Sequence, residues 1–191
     1  LVAQAWRAEE LFTGSAIPAE TVEAVLAGLT AQLENVVLIG MPGCGKSTVG
    51  RALARRQGKA FLDLDRLIEE RAGKSIPAIF AQEGEEAFRT LESWAVREAG
   101  ARTGCVISTG GGVVTRAENC APLRQNGVII HLTRPLDRLP TAGRPVSQST
   151  DLQTLWERRR GLYAAFADRT VDNGGPLEET LDTIEKELSA L

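Results

Sequence analysis

Short apolar runs alternate with segments of helical periodicity along most of the chain. Runs rich in valine, isoleucine and leucine occupy residues 36–39, 60–64, 105–109 and 128–132. They lack a regular alternation of apolar and polar residues, which predicts parallel strands covered on both faces. Apolar residues at helical spacing predict helices at 46–57, 64–72, 75–82, 84–99, 116–125, 150–167 and 176–190. The alternation predicts a three-layer α/β fold around a parallel sheet.

The first 34 residues follow a different pattern. The segment LVAQAWRAEELFTG has helical apolar spacing, and an alanine-rich helical segment follows the sequence Ser-Ala-Ile-Pro. We therefore expect two parts, a helical extension over residues 1–34 and an α/β domain over residues 35–191. The chain starts with Leu1 rather than methionine, which favours a fragment or a processed chain.

Composition narrows the class of protein. A chain of 191 residues suits one domain with a small appendage, and its net charge of −3 argues against general nucleic-acid binding. The cysteines Cys44, Cys105 and Cys120 have neither pair nor metal spacing, so we expect reduced thiols. Apolar runs of membrane-spanning length and a signal-peptide layout are both lacking. The expectation is a cytoplasmic protein without a membrane partner.

One junction carries the strongest chemical signal. Residues 40–47, GMPGCGKS, fit the pattern G-x-x-x-x-G-K-[ST] between a predicted strand and a predicted helix. The glycines let successive backbone N–H groups point inward, and the helix N-terminus adds positive potential. Lys46 is expected to reach the β- and γ-phosphates of a nucleotide, and Ser47 to ligate Mg²⁺. An ordinary glycine-rich turn is the alternative.

Two carboxylates follow the second predicted strand. Asp63 and Asp65 stand two apart in FLDLD, and strand periodicity would place both on one face at the edge where α/β sheets bind ligands. One can help to hold Mg²⁺ through water, while the other orients a substrate hydroxyl or takes its proton. Solvated acids at a strand end are the alternative.

Two arginines lie in apolar helical sectors. Arg89 stands three residues before Glu92, which falls among apolar positions and therefore needs a partner. Arg159 lies in the middle of a second apolar stripe, where it is costly unless it meets an anion. Both guanidinium groups could converge on one acidic substrate. A surface ion pair and a snorkelling arginine are the alternatives.

Two loops complete the candidate chemistry. The third predicted strand ends in Gly110, Gly111 and Gly112, which let a ligand approach backbone N–H donors. The segment LPTAGRPVSQST carries Arg144 among glycine, proline, serine and threonine residues. Such a segment is typical of a lid that closes over phosphates, with a plain surface loop as the alternative.

Taken together in this order, the motifs resemble those of the shikimate kinases, over about residues 36–176. That family belongs to the nucleoside-monophosphate-kinase-like branch of P-loop folds, with a mobile lid. The resemblance implies a monomer that uses ATP and Mg²⁺ to phosphorylate the 3-hydroxyl of shikimate. It implies catalytic roles for Lys46, Asp65 and Arg144, and metal binding by Ser47 and Asp63. The implied ATP-binding residues are Gly43, Cys44, Gly45, Lys46, Ser47, Thr48, Arg138 and Arg144. The implied shikimate-binding residues are Asp65, Arg89, Gly111, Gly112 and Arg159.

Two alternatives and a second resemblance complete the predictions. A different small-molecule P-loop kinase, of gluconate or nucleotide type, would share the nucleotide loop. A nucleotide switch of GTPase type would want an Asn-Lys-x-Asp motif, which the sequence lacks. The segment LVAQAWRAEELFTG resembles the closing helix of shikimate dehydrogenase, which implies fusion to such a domain.

Overall fold

The computed structural model describes residues 2–14, 16, 18–139 and 151–190. Within them lies one sheet of five strands, β1 (Asn35–Ile39), β2 (Ala60–Asp63), β3 (Cys105–Ser108), β4 (Gly127–Thr133) and β5 (Arg169–Asp172). The helices are α1 (Val2–Thr13), α2 (Ala19–Leu33), α3 (Lys46–Gln57), α4 (Leu64–Ala72), α5 (Ile76–Gly100), α6 (Cys120–Arg124), α7 (Leu152–Phe166) and α8 (Leu177–Ser189). Short 3₁₀ turns occupy Val113–Thr115, Ala117–Asn119 and Leu136–Arg138.

The sheet is parallel, with the strand order β2-β3-β1-β4-β5. Every residue of β1 and β3 is buried, as expected for strands covered on both faces. Strand β1 lies between β3 and β4: the chain passes from β1 to β2 and β3 on one side and then crosses to β4 on the other, which opens a crevice at the carboxyl ends of these strands. The predicted α/β class and parallel sheet are confirmed, and the topology fixes where a ligand can bind.

Several predicted boundaries differ from the structure. The helices expected at 75–82 and 84–99 form one element, α5, interrupted by non-helical backbone at Gly84 (φ 84°, ψ 177°). The helix expected at 116–125 is α-helical only over α6, after two 3₁₀ turns. Strand β5 was not predicted, since its four residues include a single buried one, Val171.

Helices α1 and α2 pack little against the α/β domain. Leu11 and Phe12 are 86% and 95% exposed, and α2 contains no buried residue. Four apolar residues of α2 are also exposed, namely Val25, Leu26, Leu29 and Leu33. None of the helices in the described ranges is both long and apolar enough to cross a bilayer. The division at residue 34 stays a prediction.

A buried asparagine joins the start of β1 to the start of β3. Asn35 Nδ2 donates to the Arg102 carbonyl (2.6 Å), and Asn35 Oδ1 accepts from the Cys105 N–H (2.8 Å). We predict that Asn35→Ala lowers the free energy of unfolding by about 2–4 kcal/mol, because it leaves the buried Cys105 N–H and the part-buried Arg102 carbonyl unpaired. Urea denaturation measures this change.

The matched control for this prediction is Asn126→Ala. Asn126 makes one part-buried bond of this kind, from Nδ2 to the Gly100 carbonyl (3.0 Å), so the loss should be about 1 kcal/mol. An Asn35→Ala loss no larger than the Asn126→Ala loss would contradict the account of this end of the sheet.

Candidate functional site

A cavity of about 570 Å³ opens at the carboxyl edge of the sheet. Its wall combines residues 42–43 and 45–48 with side chains from α4, α5 and α7 and with the glycines after β3. The charged residues that line it are Lys46, Asp65, Glu69, Arg89, Glu92, Arg134 and Arg159. The lining of the cavity therefore comes from segments that are distant along the chain.

The loop before α3 is curled and lines the cavity with most of its residues. Gly45 has a φ of 101°, and α3 begins at the next residue, so that the amino end of this helix faces the cavity. Lys46 is buried, and its Nζ donates to the carbonyl oxygens of Gly40 (2.8 Å) and Met41 (3.0 Å). Gly43, Ser47 and Thr48 also line the cavity, whereas Cys44 is fully buried beneath it.

Asp63 and Asp65 are hydrogen-bonded to each other, but they do not both lie on one strand. Asp63 ends β2, and Asp65 lies in the first turn of α4. Asp63 Oδ1 accepts from the Asp65 N–H (3.2 Å), while its Oδ2 accepts from Ser47 Oγ (2.8 Å). The prediction of one strand carrying both side chains on one face was wrong, because Asp63 caps the helix that begins at Leu64.

Asp65 is the carboxylate with the clearest perturbation. Burial raises the pKa of Asp65 to about 6, with the charge of Asp63 adding to the rise and that of Lys46 opposing it. A carboxyl group with a pKa in this range can both hold and release a proton near neutral pH. Asp65 therefore combines a position in the cavity wall with acid–base capacity.

Arg89 is held by two glutamates of the same helix. Arg89 Nη1 donates to Glu92 Oε2 (2.7 Å), and Arg89 Nη2 donates to Glu85 Oε1 (3.0 Å). Arg89 and Glu92 are buried, and burial raises the pKa of Glu92 against the opposing charge of Arg89. A Cβ at Gly112 would overlap the Arg89 guanidinium, so glycine is required for this close approach. The guanidinium thus lies fixed in the wall of the cavity.

Arg159 reaches the same cavity from α7. It is buried, and its Nη1 donates to the Gly111 carbonyl (3.1 Å), which also accepts from the Tyr163 hydroxyl (2.6 Å). Arg89 and Arg159, which are 70 residues apart, therefore lie in the wall of one cavity with Asp65 and the two glycines. The expected convergence of two arginines on one concave site is what the structure has.

Arg138, a predicted ATP-binding residue, is not among the residues that line the cavity. Arg138 Nη1 donates to the Gly174 carbonyl (2.9 Å), so that it contacts the connection between β5 and α8. Arg144 lies outside the described residues. Sequence reasoning missed Arg134, which lines the cavity and has a buried Nε without a partner among the described residues. Its position directly after β4, at the ligand-binding edge, was the available signal.

The oxygen atoms around Ser47 suit a magnesium ion. Ser47 Oγ lies 2.8 Å from Asp63 Oδ2 and 3.2 Å from Ser108 Oγ. Within the described part of the chain, no group of three or more His, Cys, Asp or Glu side chains could hold a metal. Mg²⁺ needs no such group, because it is commonly bound by one or two protein oxygens, phosphate oxygens and water. The donors present therefore fit Mg²⁺ brought in with a nucleotide.

Comparison with known sequences points to one family. The sequence model of the shikimate kinase family matches residues 42–189. A shikimate kinase from Microcystis aeruginosa is 44% identical over 166 residues, which cover 82% of this chain and 86% of the relative. One from Bordetella avium is 38% identical over 165 residues, covering 81% of this chain and 79% of the relative.

Comparison with solved structures agrees. Shikimate kinase from Acinetobacter baumannii, solved in complex with shikimate, has a TM-score of 0.76 at 33% identity, covering 85% of this chain and 97% of its own. A gluconokinase from Sinorhizobium meliloti has a TM-score of 0.52 at 19% identity, which shows a common fold alone. With its nucleotide loop, its acidic and basic cavity and these relatives, the chain belongs to the shikimate kinase family.

Proposed function

We propose that this protein transfers the γ-phosphoryl group of ATP to the 3-hydroxyl of shikimate. The single observation that carries the proposal is the convergence of Arg89 and Arg159 on a cavity that the nucleotide loop also lines. Two buried guanidinium groups suit one small carboxylic acid, and the loop suits a triphosphate. The chemistry then consists mainly of positioning and of charge neutralisation.

The nucleotide is bound by the loop from Gly43 to Thr48. Backbone N–H groups of this loop surround the phosphates, and the amino end of α3 adds favourable potential. Lys46 exchanges the carbonyls of Gly40 and Met41 for the β- and γ-phosphates, where its charge follows the charge that develops during transfer. The positive charge of Lys46 therefore already lies at the loop before ATP binds.

Ser47 would hold Mg²⁺ through its hydroxyl, and Asp63 would hold it through water. When bound, the ion neutralises charge on the β- and γ-phosphate oxygens. Asp63 also fixes the start of α4 through its bond to the Asp65 N–H. Asp63 thus links the metal side of the site, at Ser47, to the acceptor side, where Asp65 and the two arginines lie.

Shikimate occupies the opposite side of the cavity. Arg89 and Arg159 bind its carboxylate, and the backbone of Gly111 and Gly112 forms the adjoining wall. Asp65 accepts a hydrogen bond from a ring hydroxyl and orients it toward the γ-phosphate. With its pKa near 6, Asp65 is ionised at neutral pH and can accept the proton that the hydroxyl loses.

Five further features rest on the resemblances to shikimate kinase and to shikimate dehydrogenase. Arg144 arrives with a lid and meets charge on the γ-phosphoryl group, while Arg138 borders the adenine. The protein acts as a monomer in the cytoplasm, and the segment that contains α1 belongs to a fused shikimate dehydrogenase. A size measurement in solution tests whether the protein is a monomer. The sequence of the parent gene tests the fusion to a dehydrogenase.

Lys46→Met should lower the turnover number about 100-fold or more, because it removes the cation that stabilises developing phosphate charge. The fold should persist, since the loss concerns one side chain at the cavity. Shikimate-dependent ADP release measures turnover, and circular dichroism checks the fold.

The matched control is Lys59→Met. Lys59 Nζ donates to the Glu34 carbonyl (2.6 Å), and Lys59 lies outside the cavity, so turnover should stay within about twofold of the wild type. A folded Lys46→Met protein with normal turnover would refute the role of this lysine.

Arg89→Lys and Arg159→Lys should each weaken shikimate binding by about 10- to 100-fold, because lysine cannot form the planar fork to a carboxylate. Affinity for ADP should change by no more than about threefold, since neither side chain is assigned to the nucleotide. Calorimetric titration with each ligand measures both effects.

Arg160→Lys provides the control in the next position. Arg160 is exposed, pairs with Glu157 (2.8 Å) and lies outside the cavity, so both affinities should stay unchanged. If Arg89→Lys and Arg159→Lys weakened both ligands equally, the carboxylate site would have to be abandoned.

For Asp65, kcat/KM for shikimate should fall as the pH drops through about 6, because the protonated carboxyl cannot accept a proton. Asp65→Asn should lower activity and remove this acid limb. Since the folded pKa lies above the unfolded value, ionisation destabilises the fold as the pH rises from about 4 to 6. Asp65→Asn should therefore stabilise the protein by up to about 3 kcal/mol at pH 7.5 and bring no gain below pH 4.

Glu70→Gln on the same helix is the control. Glu70 is exposed and pairs with Arg66 outside the cavity, so neither the activity profile nor the pH dependence of stability should shift. An Asp65→Asn enzyme that kept the acid limb would assign that titration to another group.

A further inference from the structure

A buried side chain outside the cavity holds the nucleotide loop from behind. Asn173 lies between β5 and α8, and its Nδ2 donates to the Cys44 carbonyl (2.7 Å) at the middle of the loop. Asn173 N–H donates to the Thr133 carbonyl at the end of β4 (2.8 Å), which fixes the backbone of this residue. The amide group of Asn173 therefore joins the loop to the ends of β4 and β5.

A second buried residue pairs with the oxygen of this amide. Thr180 on α8 donates its hydroxyl to Asn173 Oδ1 (3.0 Å). A carbonyl oxygen can only accept, so the NH₂ group of Asn173 must face Cys44 and its oxygen must face Thr180. Thr180 thus stabilises the orientation in which the NH₂ group of Asn173 faces the loop.

The bond to Cys44 also fixes the direction of the following N–H group. The Cys44 carbonyl and the Gly45 N–H belong to one planar trans peptide, in which they point in opposite directions. A carbonyl held toward Asn173 therefore keeps the Gly45 N–H turned away from it, and Gly45 lines the cavity. A Cβ at Gly45 would overlap Asn173 Nδ2, so the asparagine occupies the space that glycine leaves free.

We infer that Asn173 is a positioning residue for nucleotide binding, and that it acts by aiming the Gly45 N–H at the phosphates. Lys46 cannot do this in the bound state, because its bonds to Gly40 and Met41 give way when it turns to the nucleotide. The bond from Asn173 lies behind the loop and does not compete with phosphate. The inference rests on the proposed function for the identity of the site.

The test measures the dissociation constants of ADP and of shikimate by calorimetry, together with the melting temperature. Asn173→Asp keeps the shape of the side chain but loses the donor to Cys44, and Asn173→Ala removes the whole group. Both should weaken ADP binding about tenfold. The dissociation constant of shikimate should stay within about twofold of the wild-type value, because the acceptor side does not contact Asn173.

The Thr180 pair separates positioning from packing. Thr180→Val leaves Asn173 Oδ1 without its donor and should weaken ADP binding about threefold, whereas Thr180→Ser keeps the hydroxyl and should bind ADP as the wild type does. Should Asn173→Ala fail to fold, Asn173→Asp and the Thr180 pair still decide the question. Asn35→Ala is the control for stability, since it loses two side-chain hydrogen bonds at the other end of the sheet without changing either affinity.

A folded Asn173→Asp protein with wild-type affinity for ADP would overturn the inference. An equal loss of ADP and shikimate affinity would do so too, because it would indicate a general distortion. A wild-type protein that bound ADP but left shikimate unphosphorylated would instead contradict the proposed function, while the comparison of ADP affinities would still decide the role of Asn173.

Discussion

The buried ion pair between Arg89 and Glu92 is the interaction on which the acceptor side of the site depends. A guanidinium in the wall of a cavity is costly unless its charge is compensated, and Glu92 compensates it at 2.7 Å. The pair leaves the arginine rigid, with Gly112 so close that a side chain there would force the guanidinium to shift. A positive group fixed in this way can be aimed at a ligand carboxylate without a further loss of side-chain entropy.

The sheet topology brings this acceptor side to the nucleotide side. The central strand β1 leads into the nucleotide loop, its neighbour β3 leads into the glycines, and β2 ends at Asp63. The carboxyl ends of parallel strands share one edge, so three loops meet although they are far apart in sequence. Asp63 then connects the two sides, because one of its oxygens accepts from Ser47 and the other from the Asp65 N–H. Chemistry that needs both substrates within reach follows from this arrangement.

The sequence predicted those features whose pattern is visible within a short stretch of the chain. The nucleotide loop and the two arginines were found because a fixed spacing or a charge among apolar positions stands out along the chain. The placement of Asp63 and Asp65 on one strand was wrong, since a capping bond that starts a helix outweighed strand periodicity. Asn173 gave no signal at all, because its partner Cys44 lies 129 residues away. The roles of these residues in binding and catalysis stay predictions.

The most direct measurement compares the binding of shikimate and of its methyl ester to the wild-type protein in the presence of ADP. The ester keeps the ring and the hydroxyls but loses the negative charge that the two arginines are proposed to bind. The account predicts an ester affinity about 100-fold lower than that of shikimate, and a smaller difference between the two ligands in Arg89→Lys. Equal affinities of the wild-type protein for the acid and the ester would contradict it.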